Sequence, residues 1–187
     1  MLYFNQRLMR NLTCSLFLSL VLLSCTPARA QRKIDLARIQ FTESPKILLK
    51  GISFTKRERD NHRVYYVISN KKAFTYAGIP IEAEIEIGAQ NNIVFSCYIR
   101  TDKTVTTNRL QQALLVKYYQ PTKKVRDDEN VRAYYWQTPT LFVQFMSGKT
   151  GTLNAQHFSF IHIAPLRALQ AGADPDFKHV YDLFKAF

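Results

Sequence analysis

Cysteine is scarce in this 187-residue chain, and its placement excludes a framework of disulfide bonds. Two of the three cysteines, Cys14 and Cys25, lie within the first 30 residues, and only Cys97 follows them. A product that lacks those first residues holds one cysteine and cannot form an intramolecular disulfide. A chain of about 150 residues buries enough surface to fold without such cross-links.

Short motifs that bind nucleotides or hold a catalytic serine are also missing. The chain contains no Gly-x-Ser-x-Gly, so it lacks the nucleophile elbow of the α/β-hydrolases. Gly148-Lys149-Thr150 resembles the end of a phosphate-binding loop, but Val143 stands where that loop needs a glycine. The residues around Gly148 lie between two extended apolar runs and are predicted as a hairpin turn. We therefore predict no nucleotide, no cofactor and no catalytic residue, although scattered residues leave enzymatic activity open.

The spacing of the four histidines does not favour a metal site. His157 and His162 are five residues apart on one predicted strand, so their side chains point to opposite faces. No pair of cysteines and no His-x-x-x-His accompanies them. We predict no bound metal.

A long uncharged apolar run occurs only near the start of the chain, and it resembles a secretory signal. Arg7 and Arg10 precede an apolar core of about ten residues, whereas a membrane-spanning helix needs about twenty. Ala28 and Ala30 then form a small-x-small cleavage site. We predict a signal peptide over residues 1–30, followed by a single domain without a transmembrane span over residues 31–187.

A second processing route competes with simple cleavage. Leu22-Leu23-Ser24-Cys25 resembles the bacterial lipoprotein signal, in which the signal ends at residue 24 and Cys25 is lipidated. That signal prefers a smaller residue where Leu23 stands. The sequence leaves two outcomes open, namely free export to the periplasm or beyond, and anchoring to a membrane through Cys25.

Acidic residues are outnumbered by basic ones, which favours anionic partners. The chain holds 26 Lys and Arg against 14 Asp and Glu, and three of the basic residues lie in the predicted leader, so residues 31–187 carry a net charge of +9. Such a charge favours an anionic envelope surface, such as lipid headgroups or acidic polysaccharide, or another envelope protein. Nucleic acid is excluded as a partner if the chain is exported.

Alternation with a period of two dominates residues 82–99 and predicts a hairpin. Glu82, Glu84 and Glu86 alternate with apolar residues, and after a turn over residues 88–92 the pattern resumes, with Cys97 on the apolar side. Residues 34–41 fit a helix or a strand equally well. The other predicted strands cover residues 46–54, 63–69, 74–77, 133–137, 141–146 and 158–163, with a charged loop over residues 56–61.

Two segments have helical signals. Thr107 or Asn108 caps a predicted helix from Arg109 to about residue 119, which ends at Pro121. A last helix is predicted to begin at Asp174-Pro175. The predicted fold is α+β, a mainly antiparallel twisted sheet with one central helix packed on it and a C-terminal helix.

Residues 110–145 resemble a pattern found in small exported α+β domains of unknown function. The chain reads Leu-Gln-Gln-Ala-Leu-Leu-Val-Lys-Tyr-Tyr-Gln-Pro, then a polar loop, then Tyr-Tyr-Trp and an apolar strand. It departs from the pattern at Tyr119, where glycine is usual. The resemblance implies a helix packed on a sheet and implies no activity, ligand or catalytic residue.

Aromatic and basic residues form the candidate binding site. We expect an exported, non-catalytic domain that binds an envelope surface or protein through exposed side chains of this set. The set comprises Tyr119, Lys123, Lys124, Arg126, Tyr134, Tyr135 and Trp136. The alternative is an envelope hydrolase that uses Glu82, Glu84 and Glu86, because paired carboxylates can cleave glycosides.

Overall fold

The computed structural model describes residues 33–59, 62–68, 72–127, 131–150, 156–170 and 172. Within these ranges, residues 125–127, 150 and 156–158 are described by their backbone alone. These residues all belong to one compact unit, Lys33–Phe187. The fold is mixed α+β with mostly antiparallel sheet and few helices, which confirms the predicted fold class. The predicted leader and the predicted helix after Asp174 lie outside the described residues.

An eight-stranded antiparallel sheet dominates the described residues. The strands are β1 (Ile34–Asp35), β2 (Phe54–Arg59), β3 (Arg63–Ile68), β4 (Phe74–Tyr76), β5 (Ile79–Pro80), β6 (Glu84–Gln90), β7 (Ile93–Thr101), β8 (Lys123–Asp127), β9 (Val131–Gln137), β10 (Leu141–Thr150) and β11 (Gln156–Pro165). The large sheet has the order β2-β3-β6-β7-β11-β10-β9-β8, and every neighbouring pair is antiparallel. β1, β4 and β5 form a separate small sheet, in which β1 and β4 are parallel.

In the part of the chain that the structure describes, three α-helices accompany the sheets, namely α1 (Pro45–Leu48), α2 (Thr104–Tyr118) and α3 (Leu166–Gln170), and one 3₁₀ turn covers Leu36–Arg38. Of the helices in the described residues, none is long and apolar enough to cross a bilayer. α2 begins five residues before the predicted start at Arg109. The hydroxyl of Thr107 donates to the carbonyl of Lys103 at 3.0 Å and so stabilises the first turn. Threonine generally favours strands over helices, and this bond helps the helix to include it.

Two predictions for residues 46–61 are wrong. Residues 46–54 were expected to form a strand, but α1 begins there because Ser44 caps it and Pro45 occupies its first turn. The backbone N–H of Lys46 donates to the Ser44 hydroxyl at 3.3 Å. The predicted loop over residues 56–61 is instead mostly strand β2, which is exposed along all six residues and therefore carries no apolar alternation.

Each face of the large sheet is covered in part, and β2 stays exposed on both faces. On the α2 face, Leu110 and Leu114 of the helix are buried against a core that includes Ile87, Val143 and Trp136. Burying a leucine contributes about 1.5–3 kcal/mol, so these two side chains hold α2 on the sheet. On the opposite face, called the α3 face, Leu169 packs in one cluster with Ala133, Tyr135, Phe142 and Ala164.

The predicted hairpin is present as β6 and β7, but its turn is tighter than expected. Asn91 and Asn92 form a two-residue turn with φ of 51° and 61°, which is the left-handed pair typical of such hairpins. A β-bulge follows, because Gly88 pairs with Ser96 and Ala89 pairs with Val94. The extra residue, Phe95, consequently turns to the α3 face, where its ring meets Tyr65 at 6.0 Å.

Candidate functional site

The three adjacent aromatic residues of β9 are buried rather than exposed. Trp136 and Tyr134 face α2 and are 1% and 5% exposed, and Tyr135 faces α3. The indole Nε1 of Trp136 donates to the carbonyl of Tyr119 at 3.1 Å, so its polar atom is satisfied inside the protein. These three rings therefore offer no exposed recognition surface in this conformation.

The other predicted binding residues are spread over the end of α2 and the edge strand β8. Tyr119 is 80% exposed where α2 ends, and Lys124 is exposed on β8 with its Nζ 5.7 Å from the ring centroid of Tyr134. Lys123 is half-buried. The side chain of Arg126 lies outside the described part of the chain. Among the described side chains of the predicted set, Tyr119 and Lys124 are the exposed ones.

The row of glutamates lies on a half-exposed strand and not in a cleft. Arg100 on β7 donates to the carboxylate of Glu84 at 2.9 Å, and both side chains are largely in solvent. Glu82 precedes β6 and is exposed, while Glu86 pairs across the strands with Tyr98. With Glu84 engaged by Arg100 on an open strand, the row gives no two carboxylates that flank a bound glycoside, which is the arrangement that glycoside cleavage uses.

His162 and Cys97 lie inside the protein, where burial suppresses their reactive forms. Burial lowers the pKa of His162 to about 3 and raises the pKa of Cys97 to about 12. His162 packs edge-on against Tyr98 at 5.8 Å. Across the described ranges, no three His, Cys, Asp or Glu side chains come together in a way that could hold a metal ion.

The glycine of Gly148-Lys149-Thr150 is part of a strand and not of a phosphate-binding loop. β10 continues through Thr150, and Gly148 pairs with Val131 on one side and with Phe158 on the other. The hairpin turn predicted around Gly148 is therefore wrong, and residues 151–155 lie outside the described residues. Backbone N–H groups that are committed to a sheet on both sides are not available to cradle phosphates.

A group that we call the arginine cluster (Arg57, Arg59 and Arg63) stands on the α3 face at the β2 edge. Arg57 is directly opposite Tyr65, and Arg59 is directly opposite Arg63. The guanidinium of Arg59 lies 4.8 Å from the centroid of the buried Tyr65 ring, a cation–π contact that orients it.

Two acids adjoin the arginine cluster in sequence; Glu58 is committed elsewhere, and Asp60 lies outside the described residues. Glu58 lies between Arg57 and Arg59 but points to the other side of β2, where it is paired with Lys56. The Lys56 ammonium lowers the pKa of Glu58 through a hydrogen bond and its charge. Among the described residues, neither Arg57 nor Arg59 forms an ion pair.

A cleft of about 490 Å³, called the rim cleft, opens where three chain segments meet at the edge of the fold. They are residues 39–42, the turn between β9 and β10, and the junction of β11 with α3. Its lining residues are Ile39, Gln40, Phe41, Thr42, Pro139, Thr140, Leu141, Pro165, Leu166 and Arg167. Most of these side chains are apolar, and Arg167 is the charged one.

Sequence patterns did not reveal either the arginine cluster or the rim cleft. The alternation of Thr55, Arg57 and Arg59 was the available signal for a one-sided basic strand, but the register with Tyr65 and Arg63 is set only by the fold. In comparisons with known proteins, no family model, no curated protein and no solved structure matches this chain.

Proposed function

We propose that the protein is an exported, non-catalytic domain that binds an anionic envelope surface through the arginine cluster. The observation that carries the proposal is that Arg57 and Arg59, on the exposed edge strand β2, share one face with the buried Arg63 of β3. The net charge of +9 over residues 31–187 supports it, because a basic domain accumulates at anionic surfaces. In this proposal the buried aromatic residues of β9 stabilise the core and do not contact the ligand.

The chemistry of arginine fits this role. A guanidinium presents five donors in a planar fork that matches the oxygens of phosphate and carboxylate groups, and it stays charged at any physiological pH. Arg59 is already held over Tyr65, so little side-chain freedom is lost when it contacts an anion. The ligand class is therefore a surface or polymer that carries phosphate or carboxylate groups.

Processing and location belong to the same proposal. The leader over residues 1–30 directs export to the periplasm or beyond, either with cleavage after Ala30 or with lipidation of Cys25. A lipid on Cys25 would hold the basic domain at a membrane and strengthen its contact with anionic headgroups. The proposed architecture includes α2 as the central helix and a C-terminal helix from Asp174. Mass spectrometry of the mature N-terminus distinguishes the two processing routes.

The alternative of an envelope hydrolase has no supporting observation in the described residues. Arg100 engages Glu84 in solvent, and no carboxylate lines the rim cleft. We therefore do not propose a hydrolytic reaction for the glutamate row.

The experiment is a sedimentation assay with vesicles of phosphatidylglycerol and phosphatidylcholine. Each basic side chain near such a surface contributes about 1 kcal/mol, so Arg57→Gln together with Arg59→Gln should weaken binding about thirtyfold. Lys103→Gln with Arg109→Gln removes the same charge from exposed positions around α2 and is the matched control. Equal weakening by both double variants would contradict a role for the arginine cluster, as would an absence of vesicle binding.

A further inference from the structure

The rim cleft is walled by apolar side chains that are not sealed into the core. Ile39, Phe41, Leu141 and Leu166 are all half-buried, so each exposes apolar surface to the same space. A volume of about 490 Å³ falls within the range of about 300–1,000 Å³ that small-molecule sites occupy. Apolar surface gathered around one concave space is the usual basis of a small-molecule site.

Hydrogen bonds between the walls hold the rim cleft open in advance of binding. The backbone N–H of Leu166 donates to the carbonyl of Thr140 at 3.0 Å. The Arg167 guanidinium donates from Nη2 to the carbonyl of Phe41 at 3.1 Å. The first bond joins the β9–β10 turn to the β11–α3 junction, and the second joins residues 39–42 to the same junction. Because the walls are already linked, little conformational entropy is lost when a ligand enters.

Several backbone polar groups around the rim cleft are already paired, which disfavours a peptide as the occupant. The hydroxyl of Thr138 accepts from the N–H groups of Thr140 and Leu141, and the N–H of Gln40 donates to the carboxylate of Glu43. A peptide strand would need free backbone donors and acceptors along one wall. A hydrocarbon chain needs none, because it gains free energy from burial alone.

We propose that the rim cleft binds an anionic amphiphile, with its acyl chain between the apolar walls and its carboxylate or phosphate head on Arg167. Arg167 is the one charged residue of the lining, and it is exposed, so it can meet a head group at the mouth. Within the described part of the chain its hydrogen bond to Phe41 uses one of five guanidinium donors. The head group is either that of a free fatty acid or that of a phospholipid.

Calorimetry with single-chain ligands below their micelle concentrations tests the proposal on the full processed protein. Dodecanoate represents the fatty acid, dodecyl phosphate represents the phospholipid head, and dodecyltrimethylammonium has the same chain with the opposite charge. One or both anions should bind, and the cation should bind roughly tenfold more weakly. Equal binding of the cation, no binding of either anion, or binding of inorganic phosphate alone would overturn the proposal.

Variants at the mouth and at the wall assign the site. Arg167→Gln should abolish the preference for the anions while the acyl chain still binds, and Arg167→Lys should keep the preference.

Thr140 is exposed at the rim, so Thr140→Trp should fill the cleft and abolish binding, whereas Thr140→Ser should not. Lys103→Gln with Arg109→Gln should leave dodecanoate binding unchanged. Unaltered binding by Thr140→Trp, or an anion preference that persists in Arg167→Gln, would place the ligand elsewhere.

Because these ligands are monomeric and the variants leave the arginine cluster intact, this result is independent of the proposed surface binding. A protein that binds dodecanoate but no vesicles would retain the rim cleft as a site and lose the function proposed for Arg57 and Arg59. A protein that binds vesicles but neither dodecanoate nor dodecyl phosphate would keep the function proposed for Arg57 and Arg59 and would lose the rim cleft as a site.

Discussion

Trp136 of β9 donates a hydrogen bond from its buried indole to the carbonyl of Tyr119, at 3.1 Å, and so ties the strand beside the β8 edge to the residue that follows α2. The sequence interval between these residues contains β8, so the bond closes the β8 edge against the helix. The ring also packs near Tyr118 and Tyr134, at 6.4 and 6.1 Å between centroids. Trp136 therefore holds the fold together and does not face a partner.

Trp136→Phe should lower the free energy of unfolding by about 2–4 kcal/mol. The substitution leaves a cavity and removes the donor of a part-buried carbonyl, and each effect costs about 1–3 kcal/mol. Urea unfolding followed by circular dichroism measures the loss. An unchanged stability would show that the indole is not sealed in the core.

Tyr119→Gly should raise the free energy of unfolding by about 1–2 kcal/mol. Tyr119 has φ of 61° and ψ of −144°, a region that is nearly exclusive to glycine and costs other residues about 1–3 kcal/mol. Its side chain is 80% exposed, so little packing is lost. Tyr119→Ala, which keeps the strain, is the matched control and should not stabilise the protein. Stabilisation by both would point to the side chain and not to the backbone.

In the pattern that residues 110–145 resemble, glycine is usual where Tyr119 stands, and the backbone of Tyr119 has a positive φ. The pattern could not show that this chain accommodates a tyrosine at that conformation, because the compensating contacts of Trp136 depend on the tertiary fold.

Gly88→Ala should destabilise the protein by about 1–3 kcal/mol. A Cβ at this position would overlap the hydroxyl of Ser96 and press on the ring of Phe95, because the β-bulge brings both residues against β6. Adding Ser96→Ala removes the overlapping oxygen and should recover part of the loss. Thermal unfolding of the single and double variants gives the coupling, and strictly additive effects would contradict the predicted contact.

Stability should fall as the pH is lowered from about 6.5 to 5, by about 1.4 kcal/mol per unit at the steepest. Burial lowers the pKa of His162 to about 3 in the folded protein, whereas the unfolded chain binds the proton near the ordinary histidine pKa of 6.5. Below that value only the unfolded state gains the proton, so unfolding becomes easier. His162→Gln should flatten this part of the profile. The same slope in wild type and variant would show that another group causes it.

Strands that bury one face were predicted correctly from the sequence, whereas a strand that is exposed on both faces was not. β6 and β7 were predictable because Ile85, Ile87 and Cys97 face a core while their neighbours do not. β2 was missed because an edge strand that is exposed on both faces has no apolar period. The burial of Tyr135 was not predictable, since it depends on Leu169 of α3 returning to cover that face.

The candidate sites were less predictable than the fold because each requires a tertiary arrangement. The arginine cluster depends on the register that sets Arg59 opposite Arg63. The rim cleft depends on the bond from Arg167 to the carbonyl of Phe41, which joins residues 126 positions apart in the sequence. No local pattern contains either relationship.

The most direct test of the central claim is the affinity of the wild-type protein for phosphatidylglycerol vesicles as salt is raised. Increasing ionic strength from about 0.1 M to about 1 M shortens the screening length from about 10 Å to about 3 Å. If the arginine cluster binds an anionic surface, affinity should fall steeply over this range, and Arg57→Gln with Arg59→Gln should reduce the slope. Binding that is absent, or that is equally strong at high salt and on phosphatidylcholine alone, would contradict the account.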